Sequence, residues 1–79
     1  MPVTLYVLKS RHTGRRYVGI TNDLARRLRE HAAGGTKASH LLGDFSVVHT
    51  EEFQDHAAAR EREKFLKSGQ GRKWFDGLG

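Results

Sequence analysis

The sequence predicts an α+β fold: a three-stranded antiparallel sheet with helices packed on it, in the order ββαβα plus a short C-terminal helix. Three observations carry this. Two runs rich in β-branched and aromatic residues, "VTLYVLKS" (3–10) and "YVGIT" (17–21), flank a turn that contains Thr and Gly. A later stretch, "FSVVHTEEF" (45–53), alternates apolar with polar residues as a half-buried strand does. Between and after these lie two segments of strong helix formers, each preceded by a short polar side chain able to cap it.

Taken in order, 3–10 and 17–21 form a β-hairpin around "RHTGRR" (11–16). The hairpin is too apolar to stand alone, so helices are expected against one of its faces. Thr21 or Asn22 then caps a helix, because a side-chain oxygen can satisfy one of its orphan N–H groups, and Asp23 suits the positive end of its dipole. Leu24 and Leu28 give that helix a narrow apolar stripe, and "AAGG" (32–35) closes it with Gly34 or Gly35 at the left-handed position. "TKASHLLGD" (36–44) reads as a loop. Asp55 caps a second helix over "HAAAREREKFLKS" (56–68), which Gly69 and Gly71 break. "RKWFDGL" (72–78) is a short last helix or turn, with Trp74 and Phe75 pinning it to the core.

Residues 1–79 are expected to form one domain with a small core, since a chain of this length buries only about 60 % of its unfolded surface. The absence of cysteine excludes a disulfide framework and thiolate zinc sites, and suits a reducing cytoplasm. No run approaches the roughly 20 apolar residues of a membrane span, and "MPVTLYVLKS" is too polar for a signal peptide. The charge is lopsided. Residues 1–36 carry seven basic against two acidic groups, whereas 37–79 carry seven of each, so the whole net charge of +5 sits in the front half. That is the footprint of a surface that meets a polyanion, with Arg15, Arg16, Arg26 and Lys37 as candidate nucleic-acid contacts.

Arg27 and His31 stand at i and i+4, so they share one helix face at the rim of the Leu24/Leu28 stripe. The only two tyrosines, Tyr6 and Tyr17, lie one in each hairpin strand, and the register decides whether they meet. An arginine beside phenols and an imidazole suits a phosphodiester, because the guanidinium fork matches phosphate oxygens and stays charged. A phenol of pKa about 10 is a weak base unless a neighbour draws off its proton, so the tyrosines make sense only as part of a set. A metal would need a carboxylate from the second helix, and spacing alone does not choose between Glu61 and Glu63. His12, His40, His49 and His56 form no ligand pair and read as surface or loop residues.

The ordered set Tyr6, Tyr17-Val18-Gly19, Arg27, His31 and Glu63 resembles the GIY-YIG nuclease domain, the type found at the N-terminus of an excision-repair nuclease. "TLYVLKS" (4–10) and "REKFLKSGQGRKW" (62–74) are similar to the opening and closing segments of its small stand-alone branch. Thr4 and Leu5 replace the Gly-Ile of the first motif, and Val18 replaces an Ile. The resemblance implies a metal-dependent endonuclease acting on DNA, in repair or recombination. It implies that Tyr6 or Tyr17 serves as general base or positions the water, that Gly19 allows close packing, and that Arg27 holds the scissile phosphate. By the same resemblance His31 orients or protonates, and Glu63 rather than Glu61 binds a single Mg²⁺ or Mn²⁺. Target choice would rest on DNA structure, a protein partner or a second copy of the chain. The rival reading is a non-catalytic nucleic-acid-binding module on the same fold.

Overall fold

A computed structural model describes residues 2–77. Strands β1 (Val3–Ser10) and β2 (Arg16–Thr21) form the hairpin, and β3 (Phe45–Phe53) adds to the far side of β1. The sheet order is β2-β1-β3, with both pairings antiparallel. Helices α1 (Leu24–Ala32) and α2 (Lys37–Leu42) connect β2 to β3, and α3 (His56–Lys67) and α4 (Gly69–Gly77) follow β3. The fold is α+β, as the strand and helix patterns predict.

The central strand explains the layering. Leu5, Tyr6, Val7 and Leu8 are all buried, so β1 is apolar on both faces. Leu5 and Val7 pack with Val18, Leu66 and Phe75, under α3 and α4. Tyr6 and Leu8, one residue out of phase, pack with Ala38 and Leu42 and with the partly buried Tyr17, Leu24, Leu28 and Phe45, under α1 and α2. Helices therefore cover both faces of the sheet, not one. The physical reason is the period of two: a strand with no polar face needs a cover on each side.

Three local expectations are corrected. The cap of α1 is Asp23, whose carboxylate accepts the Arg26 N–H at 3.1 Å. Thr21 serves the turn before it, where its hydroxyl accepts the Asp23 N–H. Residues 37–42 are helix rather than loop, capped by Thr36. Gly69 and Gly71 do not end the helical region; the break is confined to Ser68, and α4 begins at once. Gly71 lets α4 press against the end of α3, because a Cβ there would collide with the Phe65 carbonyl and the Leu66 backbone.

Trp74 and Phe75 pack onto the core as the sequence suggests. Beside them, Glu51 accepts hydrogen bonds from the Arg62 guanidinium at 3.0 Å and pairs with the His49 imidazole at 2.7 Å. The same guanidinium lies over the rings of Phe65 and Trp74.

Candidate active site

Tyr6 stands on the central strand and faces the α1/α2 layer. Its backbone partner on β2 is Gly19. The tyrosine ring lies across the space where a side chain would be: a Cβ on Gly19 would sit 2.5 Å from the Tyr6 hydroxyl oxygen and 2.6 Å from Cζ. Tyr17 pairs with Leu8 and so stands diagonal to Tyr6, with ring centroids 6.4 Å apart. The register thus brings the two phenols together without opposing them.

The third ring arrives from α1. His31 is buried at 2 % exposure, and its centroid lies 5.7 Å from each tyrosine ring, with Phe45 edge-on at 6.2 Å. The Tyr6 hydroxyl and His31 Nε2 are 2.9 Å apart. On the other side of the imidazole, Nδ1 is 2.6 Å from Thr36 Oγ1. Every buried polar side-chain atom among the described residues has a hydrogen-bond partner.

Arg27 is one turn earlier on α1, half-buried, and bonds Glu30 at 3.2 Å. Its guanidinium lies close enough to Tyr6 and His31 for its charge to act on both. Burial pushes the Tyr6 phenol above its ordinary value of 10.0; Arg27 opposes that rise, while Tyr17 and Glu63 add to it. Burial and the Arg27 charge together hold His31 below its ordinary 6.5, with Glu30 opposing weakly. The imidazole is therefore neutral near pH 7, and the phenol is protonated.

Glu63 stands on α3. Its side chain is 20 % exposed, it pairs with Lys67 at 3.3 Å, and its charge is felt by Tyr6. Glu61 is exposed. The difference follows from how α3 sits on the sheet, since the buried Ala59 and Leu66 lie on the stripe that contains Glu63. Among the described residues no group of three His, Asp or Glu side chains converges on one point. A single partly shielded carboxylate is a hard oxygen donor, which suits a hard cation that keeps most of its water.

The basic candidates disperse. Arg16 is tied to α4, with Nη2 2.9 Å from Asp76 and its guanidinium over Phe75. Arg15, Arg16 and Tyr17 line a groove with Lys67 and Arg72. Arg26 and Lys37 are exposed on α1 and α2. Thr36 and Ser39, which touch the His31 imidazole and its carbonyl, were not singled out from sequence. The available signal was the Thr-x-x-Ser spacing of a capping box.

Known proteins share this sequence pattern and this fold. The model of the GIY-YIG catalytic domain matches residues 2–74. A UPF0213 protein of Natronomonas pharaonis is 42% identical over 53 residues, which cover 66% of this chain and 62% of that protein. A UPF0213 protein of Klebsiella pneumoniae is 38% identical over 64 residues, covering 80% of this chain and 59% of that protein. The chain thus spans about three-fifths of these relatives' length. The solution NMR structure of a UPF0213 protein from Bacillus halodurans superposes with a TM-score of 0.60 at 31% identity, covering 99% of this chain and 85% of that one. Among the described residues no helix is long and apolar enough to cross a membrane.

Proposed function

The chain belongs to the GIY-YIG catalytic-domain family and has its nuclease-like fold, and from that premise we propose that it is a metal-dependent endonuclease hydrolysing phosphodiester bonds in DNA. The observation that carries the proposal is the Tyr6 hydroxyl held 2.9 Å from a buried, neutral imidazole with an arginine alongside.

In this reading the Arg27 guanidinium binds the scissile phosphate. It exchanges its exposed bond to Glu30 for phosphate oxygens, to which its planar fork is better matched. Tyr6 takes a proton from the attacking water as its own proton passes to His31 Nε2. The water oxygen forms the new P–O bond and the leaving oxygen departs with the electrons of the old one. The imidazolium then gives its proton, through Tyr6 or solvent, to the leaving oxygen, which restores the pair. Tyr17 packs against both rings and fixes where the water can stand. Glu63 would hold one Mg²⁺ or Mn²⁺, with water and phosphate oxygens completing its shell. When bound, that ion supplies charge neutralisation at the phosphate. Arg15, Arg16, Arg26 and Lys37 would meet flanking phosphates, with Arg16 already braced by Asp76. The partner is DNA, with structured or damaged sites as candidate targets and a role in repair or recombination.

Cleavage of supercoiled, nicked and branched DNA with Mg²⁺ or Mn²⁺ tests this, with wild type beside Glu63→Ala, Arg27→Ala and Glu61→Ala. Loss of cutting in the first two but not the third, with all variants folded, is the expected result. DNA binding without cutting in either metal would overturn the enzyme reading. The groove of Arg15, Arg16, Lys67 and Arg72 would then support a non-catalytic binding module instead.

A further inference from the structure

The direction of every proton around His31 follows from counting donors. A backbone carbonyl only accepts, so the Ser39 hydroxyl, 2.7 Å from the His31 carbonyl, must donate its one proton there. Thr36 Oγ1 lies 2.7 Å from Ser39 Oγ and must therefore donate to it. The Thr36 proton is then spent, so its oxygen can only accept from His31 Nδ1 at 2.6 Å, and Nδ1 carries the hydrogen. A neutral imidazole protonated at Nδ1 has a bare Nε2, and that nitrogen accepts from Tyr6. The two hydroxyls are saturated by this assignment: Thr36 Oγ1 also accepts the Ser39 N–H at 3.2 Å, and Ser39 Oγ the Thr36 N–H at 3.3 Å.

We infer that Thr36 and Ser39, the capping box of α2, are positioning residues that lock His31 in the Nδ1–H tautomer and thereby make its Nε2 the acceptor for the Tyr6 proton. The catalytic half of this inference rests on the nuclease reading; the tautomer half does not. Without the lock, a hydrogen on Nε2 would donate to the Tyr6 oxygen, and the pair could not take a proton from that phenol. The transfer is balanced: the Tyr6 O–H bond breaks, the Nε2–H bond forms, and the positive charge spreads over an imidazolium whose Nδ1–H stays bonded to Thr36. The same α2 cap that ends one loop therefore sets the polarity of the site, and the anchoring bond from Ser39 returns to the backbone of His31 itself. The helix and the imidazole are built as one unit.

The test is long-range ¹H–¹⁵N correlation of the His31 imidazole in the full chain near pH 7.5, for wild type, Thr36→Ser, Thr36→Val and Ser39→Ala. Wild type and Thr36→Ser should show Nδ1 protonated and Nε2 bare. Thr36→Val, which removes the acceptor, should move His31 toward the Nε2–H form. Ser39→Ala frees the Thr36 proton to donate to Nδ1 and should shift the tautomer the same way, which keeps the test alive if Thr36→Val fails to fold. Where DNA cleavage is measurable, kcat should fall about ten- to a hundred-fold in Thr36→Val, by analogy with loss of the partner that orients a metal-bound imidazole, with Thr36→Ser restoring it. An Nε2–H tautomer in wild type overturns the inference, as does an unchanged tautomer in both disruptive variants. Failure of all cleavage with the expected tautomers would sink the nuclease reading alone.

Discussion

Gly19→Ala probes the packing of the candidate site with a single methyl group. The added Cβ would sit 2.5 Å from the Tyr6 hydroxyl oxygen, 2.6 Å from Cζ and 3.1 Å from Tyr17 Cε1. Ordinary contact begins at 3.4 Å, so the phenol must retreat by about 0.9 Å. It has little room to do so, since Tyr6 is 1 % exposed and its hydroxyl is bonded to His31 at 2.9 Å. Overpacking of this kind costs about 1–3 kcal/mol, and stretching the hydrogen bond adds about 0.5–1.5 kcal/mol. Against this, alanine restricts the unfolded chain and returns about 0.4–1 kcal/mol. The balance is a loss of about 0.5–4 kcal/mol, or a fall in Tm of about 2–32 °C for a domain of this size. Thermal unfolding by circular dichroism measures it, with Gly35→Ala as the control. Gly35 has open space around it and a backbone conformation open to any residue, so that variant should be neutral or slightly more stable. Tyr6→Phe should not rescue Gly19→Ala, because the Cζ contact persists. A Gly19→Ala protein as stable as wild type would refute the packing of Tyr6 over Gly19, and with it the geometry of the site.

Four further outcomes are expected. His31 is held below 6.5 by burial and Arg27, so as pH falls below 6.5 the unfolded chain gains a proton that the folded chain resists, and stability drops. Urea midpoints at pH 7.5 and 5.5 should therefore separate more for wild type than for His31→Gln; equal separations would contradict the assignment. For Glu51 burial raises the pKa, but His49 and Arg62 outweigh it and leave the carboxyl below 4.5, so a second loss of stability should appear below that pH and be absent in Glu51→Gln. Ser10 is buried and donates to the Leu42 carbonyl at 2.7 Å while accepting the His12 and Thr13 N–H groups, so Ser10→Ala should cost about 1–3 kcal/mol by urea titration. An unchanged midpoint would mean that water replaces the hydroxyl. DNA affinity should fall linearly with log salt, and Arg15→Ala should shallow the slope by about one unit; no slope at all would exclude both nucleic-acid readings.

The strands were legible in the sequence because β-branched and aromatic runs bounded by turn residues leave few alternatives: β1 and β3 have the predicted bounds, and β2 starts one residue earlier at Arg16. The pairing of the layers was not legible. Period-two burial says that Tyr6 and Val7 point oppositely, but only the assembled fold says that helices wait on both sides. The missed helix, α2, has six residues, too few to be stable on propensity. It exists because Ala38 and Leu42 bury against Tyr6 and Leu8, and because Thr36 and Ser39 cap it. The difference in exposure between Glu61 and Glu63 was likewise tertiary. It turns on the rotation of α3, which the burial of Ala59 and Leu66 sets.

The opposite shifts of Tyr6 and His31 bear on how such a pair can work. Burial raises the phenol and lowers the imidazole, so at rest the shared proton belongs to Tyr6. Moving it to Nε2 creates a phenolate beside an imidazolium, two charges that appear together and leave the net charge unchanged. A phosphate arriving at Arg27 would favour the imidazolium and disfavour the phenolate, and the two effects oppose each other. Substrate charge is thus a weak lever on the transfer. What drives it, in the nuclease reading, is the proton that water gives up to the phenol as its oxygen bonds to phosphorus. The pair then passes through no free phenolate, and its burial costs little at the moment of reaction. That argues for donating geometry rather than a depressed tyrosine pKa as the quantity the fold controls. In that reading the Thr36 hydroxyl, 2.6 Å behind the imidazole and itself 2.7 Å from the Ser39 hydroxyl, fixes that geometry.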